Sequence, residues 1–560
     1  MSEALAEATV ALRPAQLVMR LERLGCAHQT RLSFLRSLLR RMQAEHWRVA
    51  CSRFDIDAKG VGTAIYTVDV GTRRYSLVAF GHELAPEKRT DRVIAEEWDA
   101  TFVLHDGIPD EAALTRLRHN VPLQEAGRYL ASELVLARAN RSVRLFDQVV
   151  SALAEGRQPD AAAVEATGYL MRTTAVYGNG KFGIADRELI RDRPELSAPF
   201  RAEMLTVYLI RTFTLDLVEH LARFAGGSRA VRLGPGLRRR FGIGNATGLG
   251  MAPFLVKHPA LIDRWIAARE TALARVRGVE RAQAAEIALF RAALAQSHHL
   301  IANWLTDDAV QGGRILQLRR DLQNLERFAT DAVLRGPRPF DAIYRFAEEH
   351  LSIEAQEYAV TLLIEPHGEL VDELAETMGI DEAASFRIDG SSSCGDLRCL
   401  IAGHCGFALA HDFTDAQALS RFWYVSEEKL EPRLGERFKE PGMEREQPLA
   451  VARDIAALAR ALDDQPPETL LAAFLLAHPE HRHSVRRVQI AAHHPYSEIR
   501  DNLIGSCMRP IDILRCKLAF FGATRFDPRS DRWLRITLFQ GAPFPDELGA
   551  GGFDLWAYGG

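Results

Sequence analysis

From Asp110 to about Leu334 apolar residues recur at the three- and four-residue spacing of amphipathic helices, and no other feature limits the possible fold so strongly. Candidate helices cover Glu111–His119, Pro122–Ala139, Arg141–Glu155, Asp160–Thr173, Ala198–Phe224, Pro253–Arg277 and, with breaks, Ala282–Leu334. The pattern has no fixed long period, which argues against a solenoid. It sustains no heptad, which argues against a coiled coil.

The flanks read differently. Pro14–Trp47 is an arginine-rich amphipathic helix or helix pair, expected to pack on its own domain. Val61–Val70 and Tyr75–Phe80 are rich in β-branched and aromatic residues and form a hairpin around Gly71. Arg92–Leu104 supplies a further strand. Gly336-Pro337-Arg338-Pro339 is the clearest linker signal in the chain. Beyond it, Tyr358–Ile364 reads as a strand, Glu369–Met378 as a helix and Trp533–Phe539 as a last strand. The tail carries Phe553, Trp556 and Tyr558, which a disordered segment would lack, so it is expected to dock.

At 560 residues the chain exceeds one ordinary core. The expected fold class is α+β and predominantly α-helical, a helical centre with small mixed sheets towards both ends. Three domains are expected: 1–110, small and α+β with the amphipathic N-terminal helix; 111–335, helical with glycine-rich anion-binding loops; and 336–560, α+β with a Cys/His cluster.

Charge excludes some functions. Lys plus Arg is 70 and Asp plus Glu is 74, so 70 − 74 gives a formal net charge of −4. A dedicated nucleic-acid binder would carry clustered positive charge, so nucleic acid is not favoured. No apolar run reaches the roughly 18 residues of a membrane span, so no membrane partner is expected. The start lacks a secretory signal, and seven cysteines is an odd and small number. Reduced thiols and a cytoplasmic location follow as the expectation. Oligomeric state is not legible.

Three stretches carry candidate chemistry. The first is Leu233–His258, with Gly244, Gly248 and Gly250 around Asn245 and Thr247, and with Lys257 and His258 following. A helical pattern begins directly afterwards with Phe254, Leu255 and Leu261. A glycine-rich loop feeding a helix start presents free N–H groups to an anion. The second is Arg172–Phe182, where Arg172, Tyr177, Asn179 and Lys181 offer a guanidinium, a phenol, an amide and an ammonium around an Asn-Gly turn. These two segments are expected to share one pocket. The third is Ser391–Asp412. Its serines cap a helix at Cys394, a setting that lowers a thiol pKa, and His404 lies one face along. The cysteine spacings are too wide for a structural zinc site, so no metal is expected.

The expected site therefore has Cys394, His404, Lys181 and Tyr177 as catalytic groups. Arg172, Asn179, Gly244, Asn245, Thr247, Gly248, Gly250, Lys257 and His258 would hold substrate. No P-loop, dinucleotide fingerprint, nucleophile elbow or zinc-protease motif is present, and no cofactor is assigned. The reading is an enzyme acting on a small anionic metabolite, a carboxylate or phosphate, by lyase or hydrolase chemistry. The alternatives are a non-catalytic helical scaffold working through Pro14–Trp47 and a nucleic-acid-associated protein working through Arg238–Arg240.

Overall fold

A computed structural model describes residues 10–89, 97–120, 130–178, 192–247, 259–378, 386–410, 413, 423–426, 443–446, 451–500, 509–528, 534–548 and 554–558. One nine-stranded sheet organises the chain. Its strands are β1 (Arg48–Ile56), β2 (Gly62–Val70), β3 (Arg73–Gly81), β4 (Ala100–Asp106), β5 (Glu133–Arg141), β6 (Tyr169–Gly178) and β7 (Gly242–Thr247). A separate two-stranded hairpin joins β8 (Trp423–Ser426) to β9 (Met443–Glu446). The last two strands, β10 (Arg525–Pro528) and β11 (Leu534–Leu538), return to the large sheet. Its order is β1-β2-β3-β4-β5-β6-β7-β11-β10.

This corrects the expected fold class. The protein is a mixed α/β fold built on one large sheet, not small sheets on a helical core. The error has a physical source. Leu134, Val135, Leu136 and Ala137 of β5 are all buried, so the strand lacks the alternation that marks a half-exposed one. The same continuous burial hides β6, read as the end of one helix and a turn. The converse error occurs at Tyr358–Ile364, which lies in the helix Ile353–Ile364. Gly336–Pro339 is a turn between the helices Asp331–Leu334 and Pro339–His350, with Arg338 paired to Glu280.

From β1 to β6 each strand pairs antiparallel with the next. β6 and β7 then pair in parallel, which requires a crossover. The 26-residue helix Arg201–Gly226 lies on that crossover and packs over the sheet. It is buried on nearly every side, which suits an element sandwiched between layers. Its Phe213 ring meets Tyr66 and Phe102 edge-on. The opposite face of β2 to β5 is covered by Leu114 and Leu117 of the helix Glu111–Asn120.

The N-terminal segment is a structural wedge rather than a basic surface. Arg13, Arg23, Arg31 and Arg36 are buried. Arg13 holds Glu270 through two bonds of 2.7 and 2.8 Å. Glu357 accepts from Arg13 at 2.7 Å and from Arg23 at 2.6 Å, and Arg269 approaches it to 3.4 Å. Arg31 pairs with Asp372 and Arg36 with Glu365. The C-terminal 3-10 turn Asp554–Tyr558 docks on the same layer, with the Tyr558 hydroxyl 3.1 Å from Glu365. Among the described residues, no helix is long and apolar enough to cross a membrane.

Candidate functional site

The parallel pair β6–β7 brings two of the sequence candidates side by side. Arg172 stands opposite Gly244, and Thr173 opposite Asn245. Strand alternation then sorts them by face. Thr173 and Asn245 share the face of Met171 and Ile243, which belong to the main hydrophobic core. Arg172 and Gly244 take the other face. Because the strands are parallel, their carboxyl ends, Gly178 and Thr247, lie towards one end of the sheet.

The glycine-rich stretch is thus not a loop at a helix start over Gly242–Thr247. It is a strand whose neighbours explain two of its glycines. A Cβ on Gly244 would stand 2.8 Å from atoms of the Tyr169 ring, and one on Gly242 would stand 2.3 Å from the Leu538 carbonyl oxygen. Glycine permits such approaches where any side chain would collide. Gly244→Val should therefore destabilise the sheet by about 1–3 kcal/mol through overpacking. Adding Tyr169→Ala should recover part of that loss. Urea midpoints for the single and double variants would check this, and an unchanged midpoint in the single variant would refute it.

On the core face three polar side chains form a short relay. Asn245 Nδ2 donates to Thr173 Oγ1 at 2.9 Å. The Thr173 hydroxyl donates to the Gly244 carbonyl at 3.4 Å. Lys517 Nζ, from the helix Cys516–Phe521, reaches Asn245 Oδ1 at 3.5 Å. Aromatic packing fixes that helix: Phe520 lies 4.4 Å from Trp265 between ring centroids, and Phe521 lies 4.9 Å from Phe200. The Cys516 thiol donates to the Leu24 carbonyl at 3.2 Å.

Lys517 is the residue that the sequence analysis missed. It retains only 9% exposure. Among the described residues no carboxylate forms a salt bridge with it, and burial pushes its amine down to about 7 from the ordinary 10.5. Desolvation penalises the charged form, and no salt bridge among the described residues offsets it. Its signal in the sequence is slight: one lysine inside the apolar run Cys516–Phe521. Thr173 carries no separate signal in the sequence, since a threonine beside a glycine-rich turn is ordinary turn chemistry.

The remaining candidates distribute as follows. Tyr177 is a β6 residue whose backbone pairs with Leu136. Thr247 ends β7 opposite Leu534. Asn179, Lys181, Gly248, Gly250, Lys257 and His258 lie outside the described residues. Cys394 and His404 are not part of the sheet. They lie on the helix Cys394–His404, where Cys394 and Cys405 pack with Leu397, Ile401 and Leu471 in a second hydrophobic cluster. Ser393 caps the helix as expected, and Asp396 completes a capping box with it, yet burial pushes the Cys394 thiol up. That direction is opposite to what a thiolate nucleophile needs. Burial, with Arg500 nearby, lowers the His404 pKa. Arg238, Arg239 and Arg240 pair with Asp546, Glu547 and Glu165, at 3.9, 3.3 and 3.5 Å.

No family model, curated protein or solved structure matches the chain. Function therefore rests on the chemistry of the residues themselves.

Proposed function

We propose that the protein is an enzyme acting on a small anionic metabolite, with Lys517 at its reacting centre and Asn245 and Thr173 positioning that amine. The single observation that supports this most is a lysine amine buried against a carboxamide oxygen with no described carboxylate to pair it. Burying an amine in this way costs stability, and groups so perturbed cluster at sites of chemistry. The location adds weight. Ligands of open sheets commonly bind beyond the carboxyl ends of parallel strands, and β6–β7 is the parallel pair.

The anionic class is inferred from the lysines that follow the two strands in the sequence, Lys181 after β6 and Lys257 after β7. Lyase or hydrolase chemistry fits a lysine acting with an amide and a hydroxyl. The free state of the cysteines among the described residues is in keeping with a reducing compartment such as the cytoplasm. The ion-paired state of Arg238–Arg240 leaves the nucleic-acid alternative without support.

Thermal shift against a panel of small carboxylates and phosphate esters tests the proposal, because a ligand of the folded state raises its stability. At least one anion should raise the melting temperature of the native chain and fail to do so for Asn245→Leu. A panel without any stabilising anion, or an equal shift in the variant, would overturn it.

A further inference from the structure

We infer, resting on that reading, that the substrate class is a small carbonyl-bearing anion such as a 2-oxo acid, and that Lys517 captures its carbonyl carbon as an imine. The argument starts from what the lysine is not built to do. A lysine that held an anion by charge alone would work best hydrated or paired, and fully protonated. Lys517 is instead buried within the apolar run Cys516–Phe521, a helix held in place by the packing of Phe520 on Trp265 and of Phe521 on Phe200. Its amine donates to Asn245 Oδ1 at 3.5 Å. That oxygen only accepts, so it orients the nitrogen through one N–H bond and supplies no negative charge to hold a proton there. An amine desolvated in this manner keeps its lone pair near neutral pH, which is the condition for attack on a carbonyl.

The Asn245 amide is itself held by its bond to Thr173, so the carboxamide oxygen faces the lysine and cannot flip without losing that bond. Asn245 and Thr173 are accordingly positioning residues, and Lys517 is the catalytic one.

The step balances without any further reactant. The amine lone pair forms the C–N bond as the C=O π pair moves to oxygen. One amine proton passes to that oxygen. The carbinolamine hydroxyl then leaves as water, taking the remaining amine proton, and one imine and one water result. A protonated imine stabilises negative charge on the adjacent carbon, which is the requirement of a lyase.

Reductive trapping tests the inference. The full-length protein is incubated with glyoxylate or pyruvate and sodium cyanoborohydride, digested with trypsin and mapped by mass spectrometry. The expected product is peptide Cys516–Arg525, uncleaved at Lys517, heavier by the mass of the oxo acid less one oxygen. Labelling of Lys517 should exceed that of the surface lysines by at least an order of magnitude and should fall as strongly in Asn245→Leu. The site of the adduct is read directly in the native chain, so the result does not depend on any variant folding. If these oxo acids raise the melting temperature but leave Lys517 unlabelled, or label surface lysines equally, the imine inference fails while the anion reading stands. If no anion of the wider panel stabilises the chain and Lys517 stays unlabelled, both fail.

Discussion

Lys517→Met is expected to make the protein more stable at pH 7 and to abolish its chemistry. Methionine fills the same apolar space without an amine to desolvate. The amine titrates at about 7 in the fold against an ordinary 10.5. Between those values the unfolded chain binds more protons than the folded one, so wild-type stability should rise with pH across that window. Below pH 7 the full penalty applies. At about 1.4 kcal/mol per pKa unit, it amounts to roughly 3–5 kcal/mol. Urea denaturation at pH 7 and pH 9.5 checks the sign. The wild type should gain stability between the two, and Lys517→Met should start higher and stay flat. Equal slopes in the two proteins would show that the lysine is not the buried titrating group. A stabilising substitution that removes function is the pattern of a site that strains the fold for chemistry.

The opposite sign is expected at Glu357, where buried charge is fully paired. Burial alone would push its carboxyl up, but the guanidinium groups of Arg13, Arg269 and Arg23 overcome this and hold it well below the usual carboxylate range. Glu357→Ala leaves those cations crowded and unpaired in the interior. Breaking a buried network by removing one partner costs about 3–5 kcal/mol, more than the pair itself contributes against an apolar replacement. The variant should unfold at lower urea at pH 7 or accumulate as insoluble protein.

The network also predicts the acid limb. Burial opposes ionisation of Glu354, but Arg515 and His28 outweigh it and lower its carboxyl to about 2 from the ordinary 4.5. Carboxylates depressed in the fold contribute stability that is present above their unfolded pKa and lost as pH falls through the folded one. The contribution of Glu354 should therefore hold down to about pH 4.5 and be lost between there and pH 2. Glu357→Ala should show a shallower acid slope, having lost one of these groups. An acid limb identical to that of the wild type would count against a stabilising role for Glu357.

The two substitutions contrast a buried charge that holds the fold with one that strains it. Glu357 lies among guanidinium partners, whereas the polar and aromatic contacts of the Lys517 amine among the described residues are the Asn245 carboxamide oxygen and the Phe521 ring at 5.9 Å. In a low-dielectric interior that difference in partners sets the sign of the contribution.

Local patterns in the sequence determined the elements whose signal is local. The β2–β3 hairpin follows from β-branched and aromatic runs on either side of Gly71, whose positive φ of 57° fits the turn. The capping box at Ser393, the strand over Leu534–Leu538 and the docking of Trp556 and Tyr558 are likewise carried by nearby residues. Tertiary structure alone decided the rest. β5 and residues Tyr169–Thr173 of β6 are buried on both faces, and double burial erases the alternation that would mark a strand. Gly242 and Gly244 are needed because the Leu538 carbonyl and the Tyr169 ring press on them, and neither is near in sequence. Lys517 became a candidate only when the fold placed it against Asn245, across 272 residues of sequence, with no carboxylate salt bridge described. A side chain's pKa and its reactivity are properties of what surrounds it, and for this lysine the surroundings come from strands far away along the chain.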